Sequence, residues 1–191
     1  MSSDGSNAQP WILSQIDVLN NIALNLIPVQ RLVTGTAYVI GIMFAVKAIW
    51  TLKMYGESRT MMSGNANIKE PILYLLVAGI LIYFPTGLSV VLETTFGSSN
   101  ILEYAPINNG TPGITALFGS TSLVGRALTT IIQTIGVIAF IRGWVLVART
   151  ASQGQPPGGT GKGLMHIFGG ILAINIIATL EMINKTLYGT S

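Results

Sequence analysis

Apolar residues in this chain gather into four long blocks, at 32–52, 72–92, 127–148 and 164–183. Each approaches the ~20 residues that an α-helix needs to cross a hydrocarbon core. Ahead of them, Ile12, Ile16, Leu19, Ala23 and Leu26 recur at helical spacing with Asp17, Asn20 and Asn21 between. That pattern predicts an amphipathic helix over 11–27, lying on the membrane surface or packing on the bundle. Pro28 should end it before the first span, and Pro85 with Gly87 should kink the second. Three polar connections complete the layout. Residues 53–71 form a short loop, 93–126 a longer one with Asn-Asn-Gly-Thr-Pro-Gly turn chemistry at 108–113, and 153–161 a Gly/Pro linker. The expected fold is an all-α membrane protein: four transmembrane helices in two repeated hairpins, plus an N-terminal amphipathic interfacial helix. The corresponding segments are a polar tail and interfacial helix (1–30), a first hairpin (31–97), an extracytoplasmic connection (98–126) and a second hairpin (127–191).

The hairpins read as offset copies. Ile40-Gly41-Ile42-Met43-Phe44-Ala45-Val46-Lys47 parallels Ile135-Gly136-Val137-Ile138-Ala139-Phe140-Ile141-Arg142, each opening on Ile-Gly and closing on a cation. Gly79-Ile80-Leu81 matches Gly170-Ile171-Leu172, and Thr95-Phe96-Gly97-Ser98 matches Leu187-Tyr188-Gly189-Thr190. The offsets are 95 (136 − 41), 91 (170 − 79) and 92 (189 − 97) residues. Differences of this size are what changes in loop length produce, and they point to duplication.

Charge is scarce. Only 9% of residues are charged, against about 25% in soluble domains, and mean hydropathy is +0.60, so the membrane reading does not depend on the blocks alone. The net charge of +3 is too small to predict direct nucleic-acid binding. With no cysteine, disulfides and thiol chemistry are excluded. The first ten residues lack the basic region of a signal peptide. Lys53, Arg59, Lys69, Arg149 and Lys162 fall in the first and third loops, against Arg31, Arg126 and Lys185 on the other side. The positive-inside rule then places both termini in the periplasm.

Few residues are candidates for chemistry. Lys47 and Arg142 are charges within spans, where they are costly and face protein, water or the headgroups. Lys47 stands close enough to the loop beginning at Lys53 to snorkel, whereas Arg142 is deeper and suits either snorkelling or a subunit or lumen contact. No carboxylate lies at mid-depth, as a proton relay would require. His166, the one histidine, starts the fourth span without companions for a ligand site, so an interfacial polar role is expected. Gly169, Gly170 and Asn175 read as one packing and assembly face, with Gly41 and Gly136 as further close-packing positions. On this reading Gly170→Leu should abolish assembly and spare insertion. The glycines at 154–161 lack P-loop spacing and are interrupted by Pro156-Pro157. No catalytic residue, cofactor or metal site is expected.

The stretch His166-Ile167-Phe168-Gly169-Gly170-Ile171-Leu172-Ala173-Ile174-Asn175-Ile176 resembles the closing helix of the IcmC/DotE family. These are small inner-membrane proteins of the Dot/Icm type IVB secretion system, related to IcmD/DotP and to IncI conjugation membrane proteins. Length and four-span layout fit IcmC/DotE across the whole chain, and the shorter IcmD-like relatives resemble one hairpin. Leu75 and Phe84 stand where the second hairpin has its His and Asn, so those polar roles do not extend to the first hairpin. The resemblance implies a non-catalytic, multi-pass bacterial inner-membrane subunit supporting the export of effector proteins. Its expected partners are the lipid bilayer, other inner-membrane secretion subunits and further copies of itself. The alternative is a freestanding small membrane channel or transporter with Arg142 lining a polar path.

Overall fold

A computed structural model describes residues 10–60, 67–97, 115, 117–118, 123–150, 152 and 158–189. These residues form six helices and no strand: α1 (Pro10–Thr60), α2 (Lys69–Ile82), α3 (Phe84–Phe96), α4 (Leu123–Arg149), α5 (Gly159–Ile174) and α6 (Ile176–Tyr188). The turn expected at 108–113 and most of the 153–161 linker lie outside the described residues. α1 packs on α2, α4 packs on α5, and contact between α1 and α4 joins the two pairs. Buried Tyr74, Val77 and Leu81 of α2 and Phe84 of α3 meet Val137, Phe140 and Ile141 of α4 in one core. The Phe84 and Phe140 rings are 5.9 Å apart, a contact worth about 0.5–1.5 kcal/mol beyond its buried area.

Two expectations about breaks need correction. α1 runs unbroken for 51 residues with Pro28 inside it, so the interfacial helix and the first span are one element. At ~1.5 Å per residue it is about 76 Å long. Contacts on both sides of Pro28 keep α1 straight enough to stay one helix: Ala23 is buried, and Gln30 Nε2 donates to Thr134 Oγ1 of α4 at 2.7 Å. Proline removes one helical hydrogen bond, and packing against α4 opposes the break it would otherwise cause. Around Ala23 and Gln30, α1 therefore packs on α4.

The second expectation was a mere kink near Pro85. Instead Tyr83 leaves the helix (φ −93°, ψ 26°) and α3 departs from α2 at 88°. Asn175 does the same between α5 and α6 (φ −114°, ψ 57°), and there the turn is 90°. The two breaks are 92 residues apart (175 − 83). Both following helices have 13 residues and stop at a left-handed glycine, Gly97 or Gly189. Glycine adopts that conformation without a Cβ clash, which is why it ends helices so often.

α1 and α4 are long and apolar enough to cross a membrane, and up to four crossings result if each bent pair forms one. Several hydroxyl groups on α1 are satisfied locally. Thr34, Thr36 and Thr51, for example, each donate to the carbonyl four residues earlier. Such back-bonding lets a polar residue sit on an apolar helix without exposing an unpaired group to lipid.

Candidate functional site

Glycines bring the backbones of α4 and α5 together. On α4, Gly136 and Gly143 face Gly170 and Gly163 of α5. A Cβ added at Gly170 would lie 2.8 Å from the Gly136 carbonyl oxygen, and one at Gly143 would lie 2.8 Å from that of Gly163. The two backbones are therefore in direct contact. Within lipid, where burial away from water no longer drives helices together, close packing of this kind holds them. Gly41 performs the same task in the other pair, where a Cβ would meet Ile82 Cγ1 at 2.9 Å.

Gly169, Gly170 and Asn175 do not form a single face. Gly170 is buried against α4, whereas Gly169 is exposed with nothing within 4 Å of a would-be Cβ. Asn175 turns inward to its own chain, and its Oδ1 accepts from the Ala178 backbone N–H at 3.4 Å. The break at Asn175 leaves the first N–H groups of α6 without helical partners, and an adjacent side-chain oxygen is the nearest acceptor. Thr179 completes the corner by donating to the Leu172 carbonyl at 2.9 Å, across the break. Gly79, matched to Gly170 by sequence, is exposed and meets nothing within 4 Å, so the identical triplets occupy unlike surroundings.

The two cations expected within spans are both exposed, but their surroundings differ. Lys47 Nζ sits 4.5 Å from the centre of the Tyr74 ring, which also stacks on Phe44 at 5.8 Å. Arg142 is exposed on the outside of α4. His166 is half-buried, with Nδ1 2.8 Å from the Lys162 carbonyl, so that nitrogen donates within its own helix. The Lys53–Glu57 ion pair, at 3.7 Å, is well exposed on α1. Among the described residues no group of three or more His, Asp or Glu could hold a metal ion.

The sequence reading overlooked Gly143, Gly163, Thr179 and the Gln30–Thr134 bond. A signal existed for the glycines: each lies seven residues from its partner on the same helix (143 − 136 and 170 − 163), two full turns along one face. Neither a family model, a curated protein nor a solved structure matches the chain.

Proposed function

We propose that this chain is a non-catalytic structural subunit of a multi-component bacterial inner-membrane machine, built to be covered by other subunits as well as by lipid. One observation carries the reading. Large apolar side chains are exposed along α1 from Val18 to Met54, 36 positions or about 54 Å of helix. A hydrocarbon core of about 30 Å, even with a helix tilted by about 40°, covers only about 39 Å of that. The remaining apolar surface needs protein against it.

The resemblance to the IcmC/DotE family specifies the machine as a type IVB secretion or conjugation apparatus, in which the subunit supports assembly of the export channel. Both termini lie in the periplasm under this proposal, on the side opposite the basic loops. The two halves are duplicated units. Supporting that are the breaks at matching positions, the glycine caps after equal helices, and the placement of Gly41 and Gly136. Each of these glycines packs against the last residue before its break, Ile82 or Ile174. A freestanding channel would need Arg142 to face a lumen; its outward position means that any such lumen would form between chains.

Affinity purification of the tagged protein from native membranes in mild detergent tests the proposal. Recovery with other envelope-secretion subunits is the expected result. Recovery alone, with solute or ion movement after reconstitution into liposomes, would replace it with the transporter reading.

A further inference from the structure

The N-terminal half of α1 and the first turns of α4 enclose a groove of about 490 Å³, within the size range of small-ligand sites. Its polar lining comprises Asn20 and Gln30 from α1 and Arg126, Thr129, Thr130 and Gln133 from α4. Thr129 and Gln133 are only 2% and 4% exposed, and the Thr129 hydroxyl has no hydrogen-bond partner. Buried polar groups of this kind on a membrane-length helix are costly unless something pairs with them. Arg126 is exposed and, among the described residues, is the one charged residue lining the groove. Asp17 lies one turn before Asn20 on α1 and is not part of the lining. The described lining thus carries a cation and neutral hydrogen-bonding groups, with no carboxylate among the described residues to oppose an anion.

The rest of the lining is apolar and leads outward. Leu24 and Ile27 are 57% and 44% exposed. Arg126 stands at the very start of the apolar block of α4, where a phospholipid headgroup meets the hydrocarbon. Polar groups at the mouth and an apolar track running from it match a molecule that is charged at one end and oily along its length.

We propose that this groove binds an anionic phospholipid. The Arg126 guanidinium engages the phosphodiester, Gln133 and Thr129 meet glycerol or headgroup oxygens, and an acyl chain runs along Leu24 and Ile27. A planar guanidinium suits phosphate because it donates two parallel hydrogen bonds. The inference does not depend on which machine the protein serves.

Thermal unfolding and native mass spectrometry of the full chain in neutral detergent would test it, with phosphatidylglycerol, phosphatidylcholine or inorganic phosphate added. Phosphatidylglycerol should bind and raise the melting temperature, while phosphatidylcholine and inorganic phosphate should leave it in place. Arg126→Gln should weaken phosphatidylglycerol binding about tenfold, with Arg126→Lys retaining an intermediate affinity. Thr129→Val should weaken it by a smaller factor. Arg126 is exposed, so its loss leaves the core intact, and the comparison of lipids on the parent protein needs no variant. Equal shifts with the two lipids would overturn the proposal. So would parent-like binding by both Arg126→Gln and Thr129→Val. A shift with inorganic phosphate matching that with phosphatidylglycerol would replace the lipid with a free anion.

Discussion

Glycine, tyrosine and asparagine show at the scale of single residues how environment overrides type. Gly143→Val places methyl groups where Ile167 Cγ1 and the Gly163 carbonyl already lie within 2.6 and 2.8 Å of the first added carbon. Overpacking against backbone that cannot move aside should destabilise the chain by about 1–3 kcal/mol, read as a lower unfolding temperature in detergent. Gly169→Leu, with open space around it, should leave that temperature unchanged. Gly170→Leu should now disrupt the α4–α5 pair itself, so a variant that loses partners but keeps parental stability would contradict the contact described here. Tyr74 offers the opposite sign. Its ring is buried while its hydroxyl lacks a partner, so Tyr74→Phe should stabilise by about 1 kcal/mol. Sequence singled out Gly41, Gly136 and Gly170 because small residues on membrane helices mark close approach. It misassigned Asn175, since an amide in an apolar run signals either an interhelical bond or a cap, and only the backbone path distinguishes them.

At the scale of elements, the right-angled corners are the main departure from four plain spans. Proline announces the first: Pro85 has no N–H and its ring crowds the carbonyl of Leu81, so the break falls just before it, at Tyr83. Nothing comparable marks the second, which is held by side chains, the Asn175 amide and the Thr179 hydroxyl. The absence of native cysteine makes both corners measurable by spin labelling. Labels at Met165 and Leu187 should have backbone positions about 23 Å apart if α5 and α6 meet at 90°, against about 33 Å for one straight helix. Thr179→Val should broaden that distribution toward the longer value, because the Leu172 carbonyl loses its donor. A single population near 33 Å in the parent would mean that α5 and α6 form one straight span.

On the whole-molecule scale, the corners place α3 and α6 together at one end of the bundle, where Thr95 and Phe96 share a groove with Glu181, Met182 and Lys185. Under the proposed orientation, single cysteines at Ser14 and Thr186 should react with an impermeant maleimide from one side of the membrane, and one at Glu57 from the other. Labelling of Ser14 and Glu57 from the same face would overturn the proposed orientation.

What the sequence determined by itself is local and periodic. Apolar block length, scarce charge and the matching Ile-Gly octads are properties of consecutive residues, and they suffice for an all-helical chain with membrane-length segments. Pairing is not local. Whether Pro28 breaks α1 depends on the hold that α4 exerts through Gln30 and Thr134, 104 residues apart. Whether Gly170 or Gly169 matters depends on which side of α5 meets α4. The groove at Arg126 exists only because two helices far apart in sequence run side by side. Those outcomes were left to the tertiary structure, because the energy that decides them arises between segments and is absent from any one of them.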